Sequence, residues 1–164
     1  METENVIKQR PVFLTIICII SFAGLGIIMM KNLFALALSQ LFSTLVPVIK
    51  DGMQQALNEV SMSNPPVQPF LEKVFSSVIK LLSNMPLFAG LTFAISGVAL
   101  AGVILMWNQR KSGFYMYSVA KILGIFLPVM IIGVNFISMM MGASLFIVAA
   151  IFITLYALNL KSME

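Results

Sequence analysis

The chain holds six carboxylates, and their positions decide what chemistry they can do. Glu2, Glu4 and Glu164 are terminal, while Asp51, Glu59 and Glu72 share one stretch between hydrophobic runs. Acid–base hydrolysis needs acids held together, and proton relays through membranes use embedded ones. Neither pattern occurs. Histidine is absent, which removes the commonest general base and a major metal ligand. Serine without histidine lacks its activating partner. Cys18 is the one cysteine; it sits in an apolar run, cannot form an internal disulfide, and reads as a small buried hydrophobe. Thirteen methionines suggest thioether ligation of Cu(I). Met139, Met140 and Met141 are consecutive, however, and point in different directions around a helix. No metal, cofactor or catalytic site is implied, and the expectation is a non-enzymatic protein.

The residues that remain chemically interesting lie late in the chain. Lys121, Gly124, Pro128, Asn135, Ser138 and Gly142 fit one register of threes and fours, with Ile131 in the remaining place. A helix gains from gathering small and polar residues on one face only when that face meets other helices or lines a solute path. The packing reading predicts that Gly124→Leu is damaging and that added bulk at Ala120, off the stripe, is milder. A helix from Ile122 to Met141 would be long enough to span, leaving Lys121 as a boundary anchor that snorkels to the headgroups. Asn135 would then lie nearer mid-membrane, with its amide bonded to another span.

The elements that must position these residues follow from hydropathy. Sixty per cent of the 164 residues are hydrophobic and ten per cent charged, against roughly 25% charged in soluble domains. A soluble fold of this size has no means of hiding so much apolar surface. Twenty uncharged residues, Pro11 to Met30, make the first span, at about 30 Å one bilayer core. A signal peptide competes, with Ala35-Leu36-Ala37 as its cleavage site, but the run is longer than an h-region and Lys31 intervenes. The second span covers 87–107, opened by Pro86 and closed by Trp107 as an interfacial anchor. It offers a small-residue face at Gly90, Ala94, Gly97 and Ala101. The third begins near Phe114, with Tyr115 and Tyr117 as belt residues. From Ile122 to Leu160 there is no charge, and one helix of that length, about 58 Å, must fold back. Gly142-Ala143-Ser144 is the expected turn, dividing the run into spans 114–141 and 145–160.

The long segment 32–85 carries two further stripes. Phe42, Val46, Ile49, Met53, Ala56 and Val60 repeat at helical spacing, as do Leu71, Phe75, Val78, Leu82 and Met85. Pro47 would kink the first helix or begin a second piece. Ser61 to Pro69, with three prolines, breaks the two apart. The pattern reads as an amphipathic helical hairpin; helices lying flat on the membrane surface are the alternative. Lys8, Arg10, Arg110, Lys111 and Lys161 flank the short segments, so the positive-inside rule places both termini in the cytoplasm and the hairpin outside. The net charge of +4 is spread along the chain. Nucleic-acid binding needs a clustered patch and is rejected.

Arg10-Pro11-Val12-Phe13-Leu14-Thr15, Lys111-Ser112-Gly113-Phe114-Tyr115-Met116-Tyr117 and Leu155-Tyr156-Ala157-Leu158-Asn159-Leu160-Lys161 together resemble small uncharacterised four-span inner-membrane proteins of Bacteroidota-type bacteria. The resemblance implies an inner-membrane location and transfers no catalytic residues. It does not extend to the hairpin. The expected fold is all-α: a four-helix transmembrane bundle with an extracytoplasmic hairpin between spans one and two. Two functions are consistent with it. The first is an accessory or scaffold subunit whose hairpin docks a partner or the lipid surface. The second is an oligomeric channel or carrier for a small neutral or anionic solute lined by the third span. Its partners would be the bilayer and other membrane proteins or further copies of itself. A cavity beside Lys121 and Asn135 would favour the carrier, and a closed bundle the scaffold.

Overall fold

The structure is a computed structural model and describes residues 12–63 and 65–160, apart from the side chain of Ser63. Lys8, Arg10 and Lys161, on which part of the orientation rests, lie outside the described residues. The elements are α1 (Val12–Ala37), α2 (Ser39–Ser63), a 3-10 turn (Pro65–Val67), α3 (Gln68–Ser83), α4 (Met85–Trp107), α5 (Lys111–Ile132) and α6 (Phe136–Leu158). Four of these, α1, α4, α5 and α6, are long and apolar enough to cross a membrane. These four helices are compatible with an integral membrane protein of the multi-pass kind.

Several boundaries differ from the hydropathy reading. The first helix does not stop at Lys31: it runs on to Ala37 and carries Lys31 and Asn32 in its last turns. Lysine is a good helix former, and no glycine or proline lies there to end the helix. The insert proper is therefore shorter than 32–85, and α4 begins at Met85 with Pro86 in its first turn. Helix α2 continues through Pro47.

The largest correction concerns the last two spans. The chain turns at Gly133-Val134-Asn135, not at Gly142-Ala143-Ser144. Gly133 ends α5 with φ +90°, a conformation that a side chain strains and glycine adopts freely. Asn135 then caps α6: its side-chain oxygen accepts from the Ser138 N–H at 2.9 Å, and the Ser138 hydroxyl accepts from the Asn135 N–H at 3.0 Å. This reciprocal cap satisfies two orphan donors at the helix start. Gly142, Ala143 and Ser144, with no comparable cap, stay inside the helix. The uncharged stretch is thus shared between the second half of α5, a helix of 22 residues, and α6, a helix of 23, each sufficient to span.

The spans pack in a chain of neighbours: α1 on α4, α4 on α5, and α5 on α6. The tightest approach is between α4 and α5. A Cβ at Gly113 would lie 2.5 Å from the Gly102 carbonyl oxygen, and one at Gly102 would lie 2.8 Å from the Tyr117 nitrogen. The expected small-residue face of the second span is not this contact. A Cβ added at Gly90 or Gly97 would meet nothing within 4 Å, and Ala94 is exposed. Ala89, Ser96, Ala99, Gly102, Val103 and Met106 are the buried ones. Helix α2 packs against α3 and the 3-10 turn, and α3 also touches α4, α5 and α6. On α2 the stripe residues Phe42, Val46, Ile49, Met53, Ala56 and Val60 are half-buried, as are Leu71, Phe75, Val78 and Leu82 on α3. Helix α3 lies over the α5–α6 turn, where Phe70 meets Phe136 edge to face at 6.0 Å.

Candidate functional site

The core of the bundle is concentrated toward the end where α1 and α5 begin and α4 and α6 finish. Leu14, Ile17, Cys18, Val103, Met106, Tyr117 and Tyr156 are buried together there. Tyr117 is 1% exposed and belongs to this core, not to an interfacial belt; Tyr115, 64% exposed, is the outward one. Tyr156 is fully buried and its hydroxyl lies 2.7 Å from the Ser21 hydroxyl and 3.4 Å from the Ile17 carbonyl oxygen. The rings of Tyr117 and Tyr156 meet edge to face at 5.2 Å, an arrangement aromatic quadrupoles favour. This layer joins α1, α5 and α6. Cys18 lies in it, buried and free of any disulfide.

Above that layer the four spans do not close. A cavity of about 400 Å³ is lined by residues from all of them: Leu25 to Asn32 on α1, Phe88 to Ala99 on α4, Ala120 to Leu127 on α5 and Met141 to Ala149 on α6. Its walls are mainly aliphatic, with Leu25, Ile28, Ile95, Leu127, Leu145 and Val148 prominent. Three groups break the apolar lining in a way that bears on chemistry. Lys121 stands at the floor, its ammonium 5.3 Å from the centre of the Tyr117 ring, a favourable cation–π geometry. Lys31 and Asn32 line the cavity from the far end of α1. Asn32 is 4% exposed, and its amide nitrogen is buried with no hydrogen-bond partner among the described residues. A buried donor left unpaired costs about 1–3 kcal/mol, so native proteins rarely keep one without a reason.

The turn position changes the meaning of Lys121. With α5 running from Lys111 to Ile132, Lys121 has ten residues before it and eleven after, so it is not a boundary anchor. It lies about 15 Å from either end of its helix. No aspartate or glutamate occurs in any of the four spans. An ionisable side chain at that depth is costly unless it faces a cavity or a partner, and the cavity is what it faces.

The expected stripe is split by the same turn. Lys121, Gly124 and Pro128 are on α5; Asn135, Ser138 and Gly142 are on α6 or cap it. Lys121 and Gly124 line the cavity. Pro128, Ser138 and Gly142 are buried between helices, where a Cβ at Gly142 would sit 3.5 Å from the Ile125 carbonyl oxygen. Asn135 is not a mid-membrane amide bonded to another span; it caps α6 and faces a separate hollow with Lys73 and Ser76 of α3. Gly124 is not a close-packing glycine either: a Cβ there meets only Ile95, at 3.8 Å. Ala120, read as off the stripe, is 1% exposed.

Sequence reasoning passed over Asn32 and the Gly102–Gly113 contact, and it did not pair Ser21, a small residue of the first span, with Tyr156. The α6 start was signalled by Gly133 followed by Asn135 and Ser138, a helix stop and a helix cap in sequence. Nothing local marks Asn32 as unpaired, because that depends on which helices surround it. Among the described residues no cluster of three or more histidine, cysteine or carboxylate side chains could hold a metal ion. Comparison of the chain with family models, with curated proteins and with solved structures finds no match.

Proposed function

We propose that this is a non-enzymatic multi-pass protein of a bacterial inner membrane that takes up a small anionic solute in the cavity built on Lys121. Both termini are cytoplasmic in this reading, and α2 and α3 form a hairpin on the opposite side. The single observation that carries it is a lysine at mid-span, on a cavity wall, with no acid in any span to balance it. An anion held there gains a charge-assisted contact in a low-dielectric site. The Tyr117–Tyr156–Ser21 layer closes the cavity on one side. A cavity with one closed end suits a carrier or receptor better than an open channel.

The experiment is cysteine labelling. Gly124→Cys in a Cys18→Ser background places a thiol on the cavity wall. Small thiosulfonate reagents of opposite charge should react at different rates, the anionic one several-fold faster, and Lys121→Met should abolish the preference. A thiol that stays unreactive, or reacts without regard to charge, would remove the solute reading.

A second reading rests on a different observation. Helix α2 packs on α3 and otherwise presents Leu41, Leu45 and Val48 to its surroundings. That supports docking of a partner or of the lipid surface by the hairpin, through a protein acting as a scaffold.

A further inference from the structure

We infer that the ligand is an anionic amphiphile whose head group occupies the cavity on Lys121 while its aliphatic chain passes out sideways between α1 and α6 into the lipid. This rests on the reading of Lys121 as an anion anchor and adds the ligand's class and its route.

The route is visible in how α6 is packed. Ala143 to Val148 are exposed on every side of the helix, over more than a full turn. Three of these residues, Ser144, Leu145 and Val148, also line the cavity. The cavity wall on the α6 side is therefore open to whatever surrounds the bundle. Across the opening, α1 contributes Leu25 and Ile28. The two helices are drawn together at the Tyr156 end, where Tyr156 reaches Ser21 and Ile17, and each otherwise packs mainly on another neighbour, α1 on α4 and α6 on α5. The gap thus widens from the tyrosine layer toward the middle of α6. At that depth the surrounding medium is hydrocarbon. A freely soluble anion does not approach through hydrocarbon, but an amphiphile already has its chain there.

The head group has two places to bind. Lys121 presents its side-chain nitrogen at the floor, beside the Tyr117 ring. Asn32 lines the other end beside Lys31, and its amide nitrogen is buried and has no partner among the described residues. Along α4 the lining runs from Phe88 to Ala99, about 16 Å of helix. A head group arriving near the bilayer surface meets Lys31 and Asn32 first and Lys121 after moving inward. The walls between them are mostly aliphatic and accept the first carbons of the chain, with the hydroxyls of Thr92, Ser96 and Ser144 among them. A neutral amphiphile leaves the ammonium unbalanced, and a cationic one is repelled by it.

The test uses the full chain in lipid nanodiscs with a diazirine-bearing palmitate analogue, photoactivated and mapped by peptide mass spectrometry. Label should concentrate on Leu25, Ile28, Leu145 and Val148. Lys121→Met should lower that label at least tenfold, Lys121→Arg should retain most of it, and Asn32→Leu should lower it several-fold. Thermal stability measured alongside shows that each variant is folded; if Lys121→Met is not, Lys121→Gln replaces it, and if Asn32→Leu is not, Asn32→Ala replaces it. The matching diazirine alcohol should not concentrate there. Label spread evenly over the outer faces of the spans and indifferent to Lys121 would overturn the inference, as would covalent dimers joined through Leu145 or Val148. Protection of Gly124→Cys by butyrate, with no localised palmitate label, would overturn the amphiphile while leaving the solute reading intact.

Discussion

Replacing Gly113 by alanine adds one methyl group at the point where α4 and α5 come closest. That Cβ would sit 2.5 Å from the Gly102 carbonyl oxygen and 2.6 Å from the Met106 nitrogen. An unstrained contact needs about 3.5 Å, so the helices must separate by nearly 1 Å along that line. Both obstacles are backbone atoms inside a helix and cannot rotate away. The separation is felt by Ala99, Val103, Met106, Tyr117 and Ala120, which are almost fully buried beside it. A gap of 0.5–1 Å forfeits about a quarter to a half of each dispersion contact it opens. Overpacking costs about 1–3 kcal/mol, offset by up to about 1 kcal/mol of helix propensity gained on leaving glycine. Gly113→Ala should therefore destabilise the bundle by about 1–2 kcal/mol net. Gly97→Ala is the control: it has no atom within 4 Å of the new carbon and should be neutral or slightly stabilising. The assay is equilibrium unfolding in mild detergent by titrated dodecyl sulfate. Gly102→Ala should resemble Gly113→Ala, and the double variant should cost less than the sum, because one displacement relieves both collisions. Equal stability of Gly113→Ala and Gly97→Ala would refute the claim that α4 and α5 meet backbone to backbone.

Bulk on α5 should act in the opposite sense to the stripe reading. Ala120→Leu should cost about 1–3 kcal/mol by overpacking, whereas Gly124→Leu fills the cavity and should shift thermal stability by less than about 1 kcal/mol while blocking label on the cavity wall. Asn135→Ala removes the α6 cap and should cost about 1 kcal/mol; the same unfolding titration reads it, and an unchanged midpoint would remove the turn at 133–135. For orientation, single cysteines at Asn64 and Ser112 in a Cys18→Ser background should differ toward an impermeant maleimide, with Asn64 reactive in intact cells and Ser112 only after lysis. The reverse pattern would invert the topology.

Much of the architecture is legible without coordinates because the bilayer imposes simple rules. A spanning helix must be long and apolar, and α1, α4, α5 and α6 each meet that requirement in their own composition. The stripe on α2 is legible for a similar reason: Phe42, Ile49, Met53 and Ala56 recur at helical spacing, and they are half-buried on a helix that is largely exposed. The candidate site is less legible. Within an apolar span, hydropathy no longer separates the face that meets a helix from the face that meets lipid. Gly90 and Gly102 are the same residue type on the same helix, yet one has open space beside it and the other a backbone.

The sequence by itself determined that this chain carries four segments long and apolar enough to cross a membrane, and which residue types are available to any chemistry. Those properties are sums over composition and length, and they do not depend on which helix neighbours which. The tertiary structure decided the rest through two details. Gly133 and Asn135, by backbone dihedral and side-chain cap, place the last turn nine residues earlier than small-residue content suggests. That shift carries Lys121 from the edge of a span to its middle. The separation of α6 from α1 beyond the Tyr156–Ser21 bond then leaves Lys121 and Asn32 facing one cavity. A lysine's depth and an amide's missing partner are relations between helices, so only their packing could settle them.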